Sequence, residues 1–188
     1  MRIIGGRLKG RTLRGPPTAA TRPTSDRLRE TLFNVLEHSY GDPVADAAVL
    51  DLFAGTGALA CEALSRGAQR ALLIEEARAP IAVIQANLES LGLSDRARVV
   101  RRDIRRLGPA MTKETPFTLA FLDPPYGKRL AEPALEALAK GEWLAQDALT
   151  VIEESSEATL LLPSAFVHVE TRIYGETKLV FTRYSKSP

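Results

Sequence analysis

A strand, a glycine-containing loop and a helix follow one another through most of the chain, and this repeated order constrains the fold more than any other feature. The apolar segment 47–53 leads into the loop 54–57, and a helix-like stretch occupies 58–66. Strand-like and helix-like segments alternate again over 70–103 and over 117–154. Such alternation predicts an α/β fold with a doubly wound, mostly parallel sheet.

Both ends of the chain depart from this order. Residues 166–184 form two alternating segments that turn near Gly175, which predicts an antiparallel hairpin and brings the sheet to seven strands. Residues 2–13 alternate apolar and basic side chains around glycines, a pattern typical of a short hairpin, and 26–39 predicts a helix. We therefore expect two parts, an N-terminal extension over 1–40 and an α/β domain over 41–188.

Basic side chains are concentrated near the N-terminus. Residues 1–30 contain eight Lys and Arg against two acids, whereas the whole chain has a formal net charge of +2. A basic end on a mildly acidic body predicts that this end meets a polyanion such as nucleic acid. The alternative is a solvated tail without a partner. The residues that we predict to contact nucleic acid are Arg2, Arg7, Lys9, Arg11 and Arg22.

Composition excludes several classes of protein. A single cysteine, Cys61, rules out an intrachain disulfide and a cysteine zinc cluster, and we expect it to be a small buried side chain without a chemical role. No run reaches the roughly 18 apolar residues of a membrane span, and the N-terminus lacks the apolar core of a secretory signal. The sequence therefore predicts a cytoplasmic monomer that uses neither a membrane nor a metal.

Four acidic side chains fall where predicted parallel strands end. Asp51 precedes the glycine loop, and Glu75, Asp103 and Asp123 close the next three strands. In a doubly wound sheet, ligands bind at the carboxyl ends of the strands. Four carboxylates at four successive strand ends are hard to explain by packing, so we predict one shared binding site there.

The glycine loop is compatible with two kinds of cofactor. The stretch GTGALA fits the dinucleotide pattern G-x-G-x-x-A, and Glu75 lies 18 residues after Gly57, where a nicotinamide enzyme holds its ribose. Asp51 lies just before the loop, where a carboxylate would repel a pyrophosphate but would suit the ammonium group of a cofactor that carries an amino acid. A nicotinamide oxidoreductase stays an alternative at this point.

The order of the motifs resembles a known family. DLFAGTGALACEAL, LLIEEARA, RRD and FLDPPYG are similar to motifs of S-adenosylmethionine-dependent methyltransferases with a Rossmann-like sheet, and the D-P-P-Y form is that of enzymes that methylate amino nitrogens. RIIGGRLKGRTL and RPTSDRLRETLFNVL narrow the resemblance to the RsmD family. Its members are bacterial enzymes that methylate the N2 amino group of a guanine, guanine 966, in small-subunit (16S) ribosomal RNA.

The resemblance implies S-adenosylmethionine as the cofactor and a set of residues that hold it. Asp51 and the loop from Gly55 to Gly57 would hold the methionine part. Glu75 would accept hydrogen bonds from the ribose hydroxyls, and Asp103 would accept from the adenine amino group. The residues implied in cofactor binding are Asp51, Phe53, Ala54, Gly55, Gly57, Glu75 and Asp103.

The same resemblance implies that Asp123, Pro124 and Tyr126 bind the base whose amine accepts the methyl group. A guanine N2 amine is a poor nucleophile because its lone pair is delocalised into the ring. The Asp123 carboxylate and the Pro124 carbonyl would each accept one amine hydrogen, which points the lone pair at the methyl group. Asp123 would then take up the released proton, and Tyr126 would stack on a base drawn out of its strand.

The sequence is compatible with several substrates. The favoured partner is ribosomal RNA, either free or in an assembling small subunit. The same chemistry would also serve an enzyme that methylates adenine in DNA or a protein amide, and a non-catalytic RNA-binding assembly factor would keep the same fold. Four arginines either extend the RNA surface or are merely solvated: Arg101, Arg102, Arg105 and Arg106.

Overall fold

The computed structural model describes residues 1–15, 26–110 and 116–186, so the predicted contact Arg22 lies outside the described residues. The α-helices of this part are α1 (Asp26–Ser39), α2 (Ala58–Ser65), α3 (Arg78–Leu91) and α4 (Ala131–Lys140), with a short 3-10 helix at Ile104–Arg106. The strands are β1 (Ala48–Leu52), β2 (Arg70–Glu75), β3 (Ala97–Arg101), β4 (Phe117–Leu122), β5 (Leu144–Ser155), β6 (Phe166–Tyr174) and β7 (Thr177–Tyr184). No helix in these ranges is long and apolar enough to cross a membrane.

The strands form one sheet in the order β3-β2-β1-β4-β5-β7-β6. Strands β1 to β5 pair in parallel, and β7 pairs antiparallel with both β5 and β6. This confirms the predicted doubly wound sheet with a C-terminal antiparallel hairpin. The chain runs outward from β1 through β2 to β3, and β4 begins the other half on the opposite side of β1. The carboxyl ends of β1 and β4 are therefore the topological switch point, where doubly wound sheets bind ligands.

Helices cover both faces of the sheet because its central strands are apolar on both sides. Every residue of β1 is buried. One core cluster lies between the sheet and α1, α2 and α3, and it places Phe33 of α1 against Phe121 of β4 with 5.7 Å between the ring centroids. Helix α4 packs Leu135 on the opposite face, near the buried Trp143. These two packed layers fix the ends of β1 and β4 relative to each other.

Two local differences from the predicted elements have structural causes. The sequence pattern predicts a strand over 147–154, but β5 begins three residues earlier, at Leu144, because its pairing with β4 continues through an irregularity between Phe117 and Leu119. The N-terminal hairpin is reduced to one antiparallel bridge, between Arg2 and Thr12. Hydrogen bonds within the arm flank that bridge, from the Ile3 N–H to the Arg11 carbonyl at 2.9 Å and from the Leu13 N–H to the Met1 carbonyl at 3.0 Å. Other backbone N–H groups of these residues bond to α2 instead, namely those of Ile4, Gly5 and Arg7.

The first 15 residues, here called the arm, are docked on the body. Helix α2 holds the arm backbone: the buried Glu62 carboxylate accepts hydrogen bonds from the N–H groups of Ile4 (2.8 Å) and Gly5 (2.7 Å). Apolar side chains of the arm are buried in the core cluster of α1 to α3, namely Ile3, Leu8 and Leu13. The backbone of the arm is therefore docked and not solvated, while its basic side chains face the solvent.

A close backbone contact requires glycine in the arm. Gly6 has a φ of +71°, and a Cβ atom at this position would lie 2.0 Å from the carbonyl oxygen of Ser65 in α2. The next residue, Arg7, donates its N–H to that same carbonyl at 2.8 Å. Any side chain at Gly6 would push the arm away from α2 and break this bond.

A buried ion pair lies beneath the arm. Arg29 of α1 and Glu62 of α2 have fully buried side chains, with 3.6 Å between Arg29 Nε and Glu62 Oε2. Arg29 also donates to the backbone carbonyl of Arg2 and, at 2.9 Å, to Asp26. Removal of one partner of a buried pair leaves an uncompensated charge and typically costs about 3–5 kcal/mol. The pair therefore connects the arm, α1 and α2 in one network.

Candidate active site

A cavity of about 1320 Å³ opens at the switch point of the sheet. We name its two sides the glycine-loop half, at the ends of β1, β2 and β3, and the DPPY half, at the ends of β4 and β5 and the turn between β6 and β7. The glycine-loop half is defined by Asp51, Phe53, Ala54, Gly55, Glu75 and Asp103. The DPPY half is defined by Asp123, Pro124, Tyr126, Glu153, Tyr174 and Thr177. The three predicted catalytic residues and six of the seven predicted cofactor residues therefore line one cavity.

Gly57 is the predicted cofactor residue outside this lining. It is buried at the N-terminus of α2 with a φ of +74°. A Cβ atom here would lie 3.0 Å from the side chain of Leu73 and 3.3 Å from that of Ile84. The loop thus needs glycine to turn in the left-handed region while it packs against β2 and α3. Gly57 shapes the loop and does not face the cavity.

Asp51 is a buried carboxylate at the end of β1. Its Oδ2 atom accepts a hydrogen bond from the N–H of Ala60 in the first turn of α2, at 3.1 Å. Burial raises the pKa of Asp51 well above its ordinary range, and the nearby carboxylates of Asp123 and Glu75 raise it further, although the Ala60 N–H opposes them. Three acidic side chains thus lie close together here, and a positively charged ligand group would favour the ionised form of Asp51.

Glu75 connects the glycine loop to the start of α3. Its Oε2 atom accepts from the N–H of Gly55 at 3.0 Å, and its Oε1 atom accepts from the N–H groups of Glu76 and Ala77 at 2.9 Å each. Three backbone donors fix the position of this carboxylate. Because a carboxylate offers about four lone-pair sites, hydroxyl donors of a ligand fit the same group.

Asp103 caps the 3-10 helix and is paired with Arg105. Its Oδ1 atom accepts from the backbone N–H of Arg105 at 2.9 Å and from Nε at 3.0 Å, and Oδ2 lies 2.9 Å from a terminal guanidinium nitrogen. The side-chain hydrogen bond from Arg105 lowers the pKa of Asp103. Both carboxylate oxygens are thus engaged, so an adenine amino group would have to share Asp103 with Arg105.

The DPPY half is held by side chains from three different elements. The Tyr126 hydroxyl donates to Glu153 Oε1 at the end of β5, at 3.0 Å, and lies 2.8 Å from Thr177 Oγ1 at the start of β7. Burial raises the pKa of Tyr126, so it stays a neutral phenol. These contacts fix the orientation of an aromatic ring inside the cavity, beside Asp123 and Pro124.

The predicted nucleic-acid contacts of the arm lie outside the cavity lining. Four of them are exposed, namely Arg2, Arg7, Lys9 and Arg11. One is tied to the body, since Arg11 donates to the backbone carbonyl of Ser90 in α3 at 2.6 Å. At the cavity itself the arm contributes Met1, and the rim carries the basic residues Arg27 of α1 and Lys128 of the DPPY loop.

Asn87 of α3 joins the arm to the glycine loop. Its side-chain oxygen accepts from the N–H of Arg14 at 2.8 Å, and its amide nitrogen donates to the carbonyl of Thr56 at 2.9 Å. Asn87 itself is fully buried, whereas both of its partners lie nearer the surface. The end of the arm and the loop beside the cavity are therefore held by one side chain.

Comparison with known proteins places this arrangement in a family. The family described as "Conserved hypothetical protein 95" matches residues 1–183. Ribosomal RNA small subunit methyltransferase D of Escherichia coli strain K12 is 43% identical over 157 residues, which are 84% of this chain and 76% of that protein. The chain belongs to the RsmD family. This confirms the family that the motifs predicted.

Two solved structures share the fold of this RsmD-family chain. The putative methyltransferase yhhF from Escherichia coli has a TM-score of 0.83 and 37% identity, with 100% of this chain and 99% of that one covered. An RNA methyltransferase from Salinibacter ruber, in complex with S-adenosyl-L-homocysteine, has a TM-score of 0.64 and 16% identity over 89% of this chain and 96% of that one. The second likeness shows the fold alone.

Sequence patterns missed several cavity residues of this RsmD-family chain. Glu153 lies near the end of β5, just after the pairing of β5 with β4 stops at Ile152, so the strand-end rule that predicted the four acids could have found it. Tyr174 and Thr177 flank the turn between β6 and β7, where the sequence gives no signal that the turn reaches the cavity. Cys61 is buried in α2 with its pKa raised to about 12 by burial, which agrees with a packing role.

Proposed function

We propose that this chain transfers a methyl group from S-adenosylmethionine to the exocyclic N2 amino group of a guanine in small-subunit ribosomal RNA. The observation that carries the proposal is the placement of Asp123 and Asp51 at the ends of neighbouring parallel strands, which face one cavity. Strands β1 and β4 are registered Leu52 to Leu122 at that end. The two halves of the cavity are thus close enough to hold a methyl donor and an amine acceptor together.

The glycine-loop half fits S-adenosylmethionine better than a dinucleotide. Its side-chain acceptors are carboxylates. Burial raises the pKa of Asp51, and the excess of negative charge from the nearby carboxylates of Asp123 and Glu75 raises it further. An ammonium group relieves that excess, whereas a pyrophosphate would add to it. Asp51 would hold the ammonium of the methionine part, and Glu75 would hold the ribose hydroxyls. When bound, the cofactor supplies an electrophilic methyl group on a positively charged sulfur.

The DPPY half is suited to an aromatic amine. The Asp123 carboxylate and the Pro124 carbonyl each accept one hydrogen of the amine, which directs the nitrogen lone pair toward the glycine-loop half. The amine nitrogen gains the methyl group and loses one proton, and Asp123 accepts that proton before it passes to water. Tyr126 offers an aromatic face on which a base drawn out of its stack can rest.

The basic surface supports RNA as the bearer of that base. The arm residues Arg2, Arg7 and Lys9 are exposed, the arm reaches the cavity with Met1, and Arg27 and Lys128 lie at the cavity rim. Cations in these places neutralise phosphates around an extruded nucleotide. Among the described residues, no group of three or more His, Cys, Asp and Glu could hold a metal ion, so none is used in this proposal.

The test is methylation with labelled S-adenosylmethionine, free 16S ribosomal RNA and small-subunit particles at several stages of assembly, followed by nucleoside analysis. We expect label only in N2-methylguanosine. Label in N6-methyladenosine or in protein would contradict guanine as the methyl acceptor. Binding of NAD without binding of S-adenosylmethionine, measured by calorimetry, would contradict methyl transfer as the reaction. The comparison of free RNA with particles identifies the substrate form.

A further inference from the structure

We infer that Glu153 determines which base enters the DPPY half, by accepting a hydrogen bond from the N1–H of guanine. This inference rests on the proposed function and adds a specificity residue to it. Asp123 faces the amine that is methylated, and Glu153 faces the ring nitrogen next to it. Bases whose N1 carries a lone pair in place of a hydrogen are excluded.

Strand register places Glu153 beside Asp123. Strands β4 and β5 are parallel neighbours, and Leu122 of β4 pairs with Ile152 of β5. Asp123 and Glu153 are the residues that directly follow this pair. Neighbouring strands lie about 4.8 Å apart. Both side chains line the cavity, and both carboxylates act electrostatically on the Tyr126 hydroxyl. The DPPY half thus presents two acidic acceptors side by side.

Tyr126 fixes Glu153 relative to the aromatic face of the cavity. The hydroxyl donates to Glu153 Oε1 at 3.0 Å and also contacts Thr177, so ring and carboxylate are held together. A carboxylate offers about four lone-pair sites, so the bond from Tyr126 is compatible with a second donor from a base. A base stacked on the Tyr126 ring would therefore present its edge to a carboxylate of fixed position.

Guanine is the base whose edge matches two neighbouring acceptors. Its N1–H and N2–H groups are adjacent donors, both attached at carbon 2 of the ring. Adenine has a lone pair at N1, which a carboxylate repels. The analogue 2,6-diaminopurine keeps the 2-amino group of guanine but also has a lone pair at N1. It therefore separates recognition of N1–H from the presence of the amine that is methylated.

The experiment measures single-turnover methylation of two RNA substrates that differ only at the target base, guanine or 2,6-diaminopurine. A site built to hydrogen-bond an N–H group rejects an analogue without it by roughly 10⁴–10⁵-fold when fully enclosed. Because this cavity is open to solvent, we expect the wild type to prefer guanine by about 100-fold or more. In Glu153→Gln, the side-chain amide can donate to N1 of the analogue, so we expect that preference to fall at least about tenfold.

Two further variants separate recognition from positioning. Glu157→Gln makes the same charge change at an exposed residue outside the cavity lining, and we expect it to keep the wild-type preference. Glu153→Asp keeps the charge but shortens the side chain, and we expect both rates to fall while guanine stays preferred. If Glu153 only positioned Tyr126, Glu153→Gln would lower both rates by the same factor and leave the preference unchanged.

Failure of the inference and failure of the proposed function give different results. Absence of N2-methylguanosine with the wild type overturns the proposed function. Formation of N2-methylguanosine with an unchanged preference in a folded Glu153→Gln enzyme overturns the inference alone. A wild type that methylates both substrates equally also overturns it, whether or not the variant folds. Cofactor titration and thermal melting serve as folding controls.

Discussion

The two halves of the cavity are built by different kinds of contact. In the glycine-loop half, Asp51 and Glu75 are held by backbone N–H groups, namely that of Ala60 for Asp51 and those of Gly55, Glu76 and Ala77 for Glu75. In the DPPY half, Tyr126 is held by the side chains of Glu153 and Thr177, which are 27 and 51 residues away in sequence. The two acids are thus fixed by hydrogen bonds from the backbone, whereas Tyr126 is fixed by tertiary contacts between side chains.

This difference suggests that the two halves have separate roles, one in cofactor affinity and the other in methyl transfer, and mutations can test this. Backbone contacts create a site that depends on the loop conformation and tolerates changes elsewhere. Side-chain contacts from distant elements orient reacting groups but contribute little to the shape of the neighbouring half. We therefore expect substitutions in the DPPY half to affect methyl transfer and those in the glycine-loop half to affect cofactor affinity, with limited overlap.

The largest effect should come from Asp123→Ala. Loss of the carboxylate removes both an acceptor for the amine hydrogen and the group that takes up the proton, and loss of one such group typically costs about 10²–10³-fold in rate. We expect single-turnover methylation to fall by about 10³-fold. Cofactor affinity, measured by calorimetry, should stay within a few-fold of the wild type.

Asp123→Asn is the matched variant for this prediction. Its amide oxygen can still accept one hydrogen but is a poor proton acceptor, so its rate should lie between those of Asp123→Ala and the wild type. Near-normal turnover in Asp123→Ala would remove Asp123 from the reaction. A large loss of cofactor affinity would show instead that the halves are not separable.

The next largest effect should be on cofactor affinity, in Glu75→Ala. This change removes the predicted acceptor of the ribose hydroxyls and leaves three backbone N–H groups without their partner. Two of those groups, on Glu76 and Ala77, are exposed and can bond water instead. The lost hydrogen bond between a ribose hydroxyl and a charged group contributes about 1.5–3 kcal/mol. We expect affinity for S-adenosylmethionine to fall by about 100-fold, while the exposed control Glu89→Ala keeps it. RNA affinity should change little, and unchanged cofactor affinity would rule out the ribose role.

The same contrast explains what the sequence could predict. The acids Asp51 and Glu75 stand at strand ends in a regular α/β order, so their convergence follows from topology alone. The contact of Tyr126 with Thr177 depends on how the C-terminal hairpin adds to the sheet, and no local pattern encodes that geometry. The ion pair between Arg105 and Asp103 is also local, but the sequence does not predict it, because the long Arg105 side chain could adopt several rotamers. Sequence thus predicts sites built from successive strand ends better than sites built from distant side chains.

A smaller effect is expected for the arm, which lies outside both halves. Arg2, Arg7, Lys9 and Arg11 are exposed on a docked backbone, so their replacement by Ala should leave the fold intact. Each phosphate neutralised on single-stranded nucleic acid adds about 0.7 to the slope of log affinity against log salt. If three or four of these side chains contact phosphates, the slope measured for the Ala variant should be flatter than that of the wild type by about two to three units.

The measurement is RNA affinity at several salt concentrations, with S-adenosylmethionine titration as the folding control. Exposed cations elsewhere on the body provide the control variant Arg98→Ala/Lys140→Ala, which should keep the wild-type slope. An unchanged slope in the folded arm variant would move the RNA contact away from the arm, first to Arg101 and Arg105. A loss of cofactor affinity would reveal coupling through Asn87, which bonds both the arm and the glycine loop.

The smallest effect should be on stability, in Asp51→Asn. Below the ordinary pKa of about 3.9, Asp51 is protonated in both the folded and the unfolded chain, so it makes no difference to stability. As the pH rises, the unfolded chain loses this proton first, because burial raises the pKa in the folded chain. Wild-type stability therefore falls with rising pH up to the folded pKa and stays lower above it. Asn keeps an acceptor for the Ala60 N–H but cannot ionise.

We therefore expect Asp51→Asn to melt at a higher temperature than the wild type at pH 8, and the difference to close toward pH 4. Each kcal/mol corresponds to about 2–4 °C for a chain of this size. The exposed control Asp95→Asn should show no such trend. Saturating S-adenosylmethionine should reverse the order of the two melting temperatures at pH 8. Its ammonium group pairs with the ionised Asp51 of the wild type and has no charged partner in the variant. A difference that is the same at every pH would mean that Asp51 is not the charged centre of the glycine-loop half, and the division between the halves would then rest on Glu75 alone.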